Sequence, residues 1–405
     1  MGLFSKRKTI YLDNAATTKV DEAVVKEMLP YFSEKFGNAS SQHLVGQEAK
    51  RGLEESRDII ASSINAKRDE IIFTSGGTES NNLVLKGLFF HPDNKNNPSS
   101  NSAEFEGHRK NHIIITKIEH DCILNTCKWL ETQGAKITRL DVDSKGFINL
   151  NELEKAITPK TLVVSIIHGN NEIGTIQDLS AIEKICHEKG TYFHTDACQS
   201  YTKVPIDVKK QNLDFVTLNS HKIHGPKGVG ALYIKNNIKI TPLLHGGGHE
   251  KGLRSSTENV SGIIGFAKAV KIASNSNVKY MNKLRDKLIE GILNKIPNTQ
   301  LNGAEGDKRL CNNINICFND VEGEAIGGYL DSYGICSSTG SACASHSLDP
   351  SHVLTAIGLS HAQINSSVRL SISKFNTEEE IDYVLDVLPK IVEKLRKISP
   401  LAKVN

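Results

Sequence analysis

Three short stretches of this 405-residue chain gather the residue types that bind and activate a small molecule. In "EIIFTSGGTESNN" an apolar run ends at Ser75 and gives way to Gly76, Gly77 and Thr78. Paired glycines let backbone N–H groups approach an anion. A helix opening at that point adds positive potential, and Thr78 adds a hydroxyl. The spacing is not that of a Walker loop, which needs G-x-x-x-x-G-K-[ST]. Alone, a Gly-Gly turn capped by Thr serves structure as readily as binding.

In "TYFHTDACQS", Asp196 closes a second apolar run. An unpaired buried carboxylate costs several kcal/mol, so Asp196 needs a partner. That partner is a backbone N–H, a lysine or a protonated heterocyclic nitrogen. In "DFVTLNSHKIHGPKGVG", Lys222 follows His221 at the end of a third run and precedes a Gly/Pro turn. Most lysines there are simply solvated, but a desolvated one is a competent amine for a Schiff base. Anion cup, strand-end carboxylate and strand-end amine together suggest pyridoxal 5′-phosphate, with phosphate, pyridinium and aldehyde assigned in that order.

A fourth stretch, "SSTGSACASHS" (337–347), sets Cys343 among small and polar residues that offer little to pack against. Seven other cysteines lie at 122, 127, 186, 198, 311, 317 and 336, and none forms a C-x-x-C pair. Those read as reduced, buried, small hydrophobes, whereas a thiol in the fourth stretch suits reaction better than packing. "HGGGHEKG" (245–252) has three glycines between its histidines, which precludes the helix of an H-E-x-x-H zinc site. Cys186-His187 and the Cys311/Cys317 pair lack ligand spacing, so no metal is assigned.

Positioning these groups requires a scaffold. "EIIFTS", "HIIIT", "AKITRL", "TLVVSIIH", "TYFHTD", "DFVTLNS" and "GVGALYI" are strand-like and alternate with amphipathic helical segments. Apolar strands separated by helices predict a mostly parallel sheet covered on both faces. In such sheets ligands bind outside the carboxyl ends of the strands, where Gly77, Asp196 and Lys222 fall. Past about residue 260 the pattern changes. Two helical stretches cover roughly 261–296, short strands follow near 312–317 and 366–373, and a helix closes the chain at about 376–398. The expected organisation is a large domain at 20–260. Residues 1–19 and 261–405 would form a smaller α+β domain carrying the cysteine loop at about 336–350. The polar stretch 91–111 reads as a surface loop.

Composition excludes several classes. The chain is 38% hydrophobic and 23% charged with net charge +3, too balanced for nucleic-acid binding, and no basic run is interleaved with aromatics. No apolar run approaches the ~18 residues of a membrane span. The N-terminus lacks a signal-peptide core, and Lys6 stands where a myristoylation signal needs Ser or Thr. A cytoplasmic location is expected.

With "YLDNAATT" (11–18), "FTSGGTESNN", "EHDCILNT", "HGNNEIGTIQDL", "HTDACQS", "NSHKIHGPKGVGALY", "HGGGHEKGLRSST", "SSTGSACAS" and "SSVRLSISKFNTEEEID" in order, the chain resembles the cysteine desulfurases of iron–sulfur cluster assembly and nitrogen fixation. These are class V aminotransferase-like enzymes of pyridoxal phosphate fold type I. The resemblance implies a seven-stranded large-domain sheet and a homodimer. It implies that Lys222 joins the cofactor and then serves as base at Cα, that His120 stacks on the ring and helps to move protons as a catalytic residue, and that Asp196 keeps the ring nitrogen protonated. Asn171 and Gln199 would bond the ring's edge and phenolic oxygen. Gly77, Thr78 and His221 would hold the phosphate beside Asn219 and Ser220, with Thr257 reaching it from a second subunit. Arg369, with Asn171, would bind the substrate carboxylate.

The cysteine loop then has a task. Cys343 would attack the sulfur of L-cysteine, keep it as a persulfide and offer it to an acceptor, leaving alanine. His346 is near in sequence, with no role assigned. Asn219 stands where the family has Ser or Thr, which would remove one phosphate hydroxyl or replace it by an amide. "NASS" (38–41) replaces N-P-S-S, and the end "KISPLAKVN" lacks the tail by which some relatives grip a scaffold. The expected function is sulfur supply from L-cysteine for iron–sulfur clusters or tRNA thiolation. A selenocysteine lyase or cysteine β-lyase is the nearest alternative. A thiol- or metal-binding assembly protein without the cofactor is the alternative from another class.

Overall fold

The computed structural model describes residues 9–92, 110–339 and 350–399. A short strand, β1 (Ile10–Tyr11), opens the chain. Seven more follow: β2 (Ile71–Thr74), β3 (His112–Thr116), β4 (Lys136–Leu140), β5 (Thr161–Ser165), β6 (Tyr192–Asp196), β7 (Phe215–Asn219) and β8 (Gly230–Ile234). These seven make one sheet in the order β2-β8-β7-β6-β5-β3-β4. The pairs from β4 through to β7 are parallel, and β8 is antiparallel to both of its neighbours. The mostly parallel α/β sheet expected from the sequence is therefore present.

Strands without polar alternation are buried on both faces. Every residue of β3, β5, β7 and β8 is buried. Ile113 and Ile115 enter one core while Ile114 enters the other, and Ile72 opposes Ile71 and Phe73 in the same way. The edge strand β4 differs: Lys136 and Arg139 stay accessible there, which discourages pairing with another chain.

A long helix, Leu44–Ser63, precedes β2 where the residue pattern gives no clear signal. Its buried positions include Gly46, Ala49, Leu53, Ser56 and Ile60, a helical stripe carried mostly by small residues. It packs on the helix Val260–Ile272, and a Cβ on Gly52 would stand 3.0 Å from Ile264 Cδ1. Ile263, Phe266 and Ala269 of that second helix join the core of the large sheet.

Later strands form two small sheets: β9 (Thr299–Leu301), β10 (Asn313–Phe318), β11 (Ile335–Cys336) and β12 (Ser367–Ser371). β12, β10 and β9 are antiparallel neighbours, and β11 pairs in parallel with β1. Leu12, Leu284, Leu288, Ile314, Leu370 and Leu388 share the core beneath them. The helix Glu378–Ile398 covers it and is started by a capping box between Thr377 and Glu380. Asp13 bridges to Ser371, so the N-terminal segment lies along β12 before crossing to the ends of the large sheet. Among the described residues no helix is long and apolar enough to cross a membrane.

Candidate functional site

Strand ends deliver the polar groups to one cavity of about 490 Å³. Beyond β2 the chain turns through Gly76 into the helix Gly77–Phe89, and Gly77 and Thr78 line the cavity. The first N–H groups of a helix have no acceptor within it, so this end can receive an anion. A Cβ on Gly77 would stand 2.6 Å from Cys198 Sγ. Glycine is what lets the helix start settle against the turn after β6.

β6 ends at Asp196, which is only 5% exposed. Its Oδ1 accepts from the Cys198 N–H at 2.9 Å and its Oδ2 from Asn81 Nδ2 at 2.7 Å. Neither donor carries charge, so the carboxylate keeps its pull on a cation in the cavity. Asn81 also donates to Cys122 Sγ at 3.1 Å. His120 is the N-cap of the helix Asp121–Thr132, with Nδ1 accepting the Cys122 N–H at 3.1 Å.

β7 ends at Asn219, whose side chain lines the cavity near Gly77. Two residues later His221 bonds Thr17 Oγ1 at 3.1 Å. Burial, reinforced by the cations of Lys222, Lys227 and Lys203, holds the His221 imidazole down to about 4. It is neutral at pH 7. Lys222 Nζ donates to the carbonyls of Ala15 and Ala16. Gln199 Nε2 donates to the same Ala15 carbonyl at 2.9 Å. The segment Ala15–Thr17 is thus one wall of the cavity. Its role was invisible in the sequence because it contributes mainly backbone oxygens.

Arg369 lies on β12 with 2% exposure. Nη2 donates to Asp13 Oδ1 at 2.9 Å and Nη1 to the Asn171 carbonyl at 3.2 Å. Nε is buried with no partner among the described residues. The Arg369 backbone pairs with Ser338, which opens the segment leading to the cysteine loop. On the far side, Ser351 Oγ donates to Glu172 Oε2 at 2.6 Å and His352 Nε2 meets the Glu119 carbonyl at 2.9 Å. One flank is thus tied to Arg369 and the other to residues adjoining Asn171 and His120. Cys343 itself lies outside the described residues, as does His346. So does 93–109, most of the expected surface loop.

Gly77, Thr78, His120, Asn171 and Asp196 therefore meet in the cavity with Gln199, Asn219, His221, Lys222 and Arg369. Two expected residues do not line it. Ser220 points the other way, its buried Oγ set against Gly225. Thr257 is exposed on the surface. Two unexpected thiols, Cys122 and Cys198, do line it. Burial, then Asp196, pushes the Cys198 thiol well up, so it stays protonated. Burial likewise raises Cys127 to about 12 and Cys311 and Cys317 to about 11, as packing thiols require. Among the described residues no cluster of three His, Cys, Asp or Glu could hold a metal ion. The arrangement can take an anion at the helix start, a protonated ring nitrogen at Asp196, a carbonyl carbon at Lys222 and a carboxylate at Arg369.

Comparison with known proteins follows the same outline. Residues 10–384 match the aminotransferase class-V family. Cysteine desulfurase IscS of Clostridium botulinum is 48% identical over 97% of this chain and 97% of its own length. Cysteine desulfurase IscS of Methanosarcina thermophila is also 48% identical, over 98% and 95% respectively. Among solved structures, a NifS-like protein superposes with TM-score 0.85 at 38% identity, covering 96% of this chain and 100% of that one. A structure described as SspA in complex with cysteine gives TM-score 0.79 at 37% identity, covering 91% and 100%.

Proposed function

Because the chain belongs to the aminotransferase class-V family, we propose that it is a pyridoxal 5′-phosphate-dependent cysteine desulfurase. It takes L-cysteine to L-alanine and collects the sulfur on Cys343. The observation that carries this reading is the meeting of Lys222, Asp196 and Arg369 in one cavity with an open helix start.

The chain's own groups fit the cofactor. The helix start at Gly77 and Thr78, with the neutral His221 beside it, suits a phosphate. Asp196, bonded only by neutral donors, suits a protonated pyridine nitrogen. The unpartnered Nε of Arg369 leaves a buried donor for an incoming carboxylate. When bound, the cofactor supplies an electron sink that labilises bonds at the substrate Cα. Asp196 would keep the ring nitrogen protonated, and His120 would cover one face of the ring. Lys222 would bond the aldehyde and, once displaced, take the Cα proton. Its docking on the Ala15 and Ala16 carbonyls gives the amine a place to rest. Asp13 holds the Arg369 guanidinium in register while Arg369 binds the substrate carboxylate. The Cys343 thiolate would attack the substrate sulfur. An S–S bond forms, with the substrate's thiol proton kept on the outer sulfur, and the carbon–sulfur bond breaks with its electrons left on carbon. That carbon then takes a proton from solvent, and the skeleton departs as alanine.

A homodimer accords with two features. Thr257 is exposed, as a residue serving a neighbouring subunit's site must be. Leu29, Phe32, Phe36 and Leu44 also expose apolar side chains within a short span of chain. The acceptor for the sulfur is an iron–sulfur scaffold or the tRNA-thiolation machinery, in the cytoplasm. The large lobe is residues 20–260, and the remainder forms the smaller lobe.

The test compares wild type with Cys343→Ala given L-cysteine, following alanine, sulfide and protein-bound sulfur by mass spectrometry. Wild type should be yellow and gain the mass of one sulfur atom on the Cys343 peptide. The variant should keep its colour yet release almost no sulfur. Full desulfuration by the variant would favour the β-lyase reading. A wild type that takes up no cofactor would overturn the enzyme reading.

A further inference from the structure

A second lysine lies close behind Lys222. Lys203 extends from the turn after β6, and its Nζ donates to the Gln199 carbonyl at 2.8 Å and to the Lys222 carbonyl at 3.1 Å. It does not line the main cavity. Instead it borders a separate cavity of about 40 Å³ that Lys222 also borders. Among the described residues no carboxylate pairs with Lys203, and burial lowers its ammonium to about 8. A buried cation held only by carbonyl dipoles is costly, and such groups concentrate at functional sites.

Its two acceptors are the informative feature. One carbonyl belongs to Gln199, on the turn after β6, and the other to Lys222, on the turn after β7. Lys203 therefore ties together the two strand-end turns that carry cavity groups. Its charge also acts on both sides of Lys222, adding to the downward push on His221 and on His224.

We propose that Lys203 is a positioning residue for Lys222. Its ammonium fixes the backbone from which Lys222 projects and lowers the proton affinity of the Lys222 amine. An amine that must bond a carbonyl carbon and later take a proton needs to be unprotonated near neutral pH, and a nearby cation favours that. Among the described residues, the other titratable groups around the pair are neutral, paired or unaffected by substitution at Lys203. His221 and His224 are neutral, both held at about 4. Cys198 and Cys311 are held as thiols. Lys374 is neutralised by Asp21 at 2.6 Å, and Arg369 by Asp13 at 2.9 Å. Asp196 and Lys227 line the main cavity and are unchanged by substitution at Lys203. This inference rests on the reading of Lys222 as the cofactor lysine.

Lys203→Met and Lys203→Arg are compared with wild type by two titrations. Acetylation of Lys222 in cofactor-free protein is followed against pH by peptide mass spectrometry. The visible absorbance of the cofactor-loaded enzyme is followed over the same range. Lys203→Met should raise both apparent pKa values by about one unit, the size expected for removal of one nearby charge. Lys203→Arg should hold both close to wild type. Lys203→Gln, which keeps a donor without charge, should move with Met and serves if Met fails to fold. Unchanged titrations in a folded Met or Gln variant overturn the proposal, as does an Arg variant that shifts as far as Met. Loss of near-ultraviolet circular dichroism in both Met and Gln also overturns it, leaving Lys203 a scaffold residue. A wild type that takes up no colour while the Met variant still shifts Lys222 acetylation overturns the cofactor reading and supports the Lys203 inference.

Discussion

Replacing Gly77 by alanine puts a methyl group 2.6 Å from Cys198 Sγ, well inside the 3.4 Å at which ordinary van der Waals contact begins. The next neighbours, Asn219 Nδ2 at 3.6 Å and Thr217 Cγ2 at 3.8 Å, leave the methyl group room, so the conflict is with one atom. Either the helix start withdraws or the turn carrying Cys198 moves, and with it the Cys198 N–H that holds Asp196. Overpacking of this kind costs about 1–3 kcal/mol. If about 2 kcal/mol falls on the cavity, cofactor affinity drops by about 30-fold. Cys198→Ala removes the obstructing sulfur and alone should cost about 1 kcal/mol. The double variant should recover most of the loss, a coupling of about 1–2 kcal/mol. Cofactor titration by absorbance and urea unfolding measure both effects. Wild-type behaviour of Gly77→Ala, or a double variant no better than the sum of the singles, would refute the close packing of helix start and turn.

Arg369→Lys keeps the charge but loses the planar fork, and should raise KM for L-cysteine by about 10- to 100-fold, as expected for a charge-assisted bond, while cofactor absorbance persists. Initial-rate kinetics check it, and an unchanged KM would remove Arg369 from substrate binding. Stability should also depend on pH through the buried histidines. His168, His194, His221 and His224 are all held by burial near 4, so unfolding takes up protons between about 4 and 6.5 and stability falls as pH drops through that range. Glu119, raised by burial to about 8, has the opposite sign: folded it keeps a proton that the unfolded chain releases above about 4.5. Glu119→Gln should therefore steepen the rise of stability from pH 5 to 6.5, read as urea midpoints. A flat profile in both proteins would contradict these assignments.

Local pattern carried much of the site. A strand is recognised from a few consecutive residues, and in a parallel sheet the position after the strand is where ligands gather. Asp196, Lys222 and the Gly77 turn were therefore legible without coordinates. The helix Leu44–Ser63 was not, because its buried stripe is built mostly of Gly, Ala and Ser, with only Leu53 and Ile60 as large apolar residues to announce a core-facing surface. The direction of β8 was not legible either, since a strand of five buried residues reads the same in both directions.

The sequence by itself determined which residue types stand at the strand ends, that Cys343 stands among small and polar residues, and that the sheet is covered on both faces. Only the tertiary structure decided what those residues meet. Lys222 rests on carbonyls 206 and 207 positions earlier in the chain, and Arg369 is held by a carboxylate 356 positions away. Lys203 and Lys222, 19 residues apart, share a bond across two turns. Periodicity encodes which face of an element is apolar, and it operates over a few residues. Partners separated by hundreds of positions are fixed only when strand order and register bring their elements together, and backbone carbonyls, present at every residue, carry no sequence signal at all.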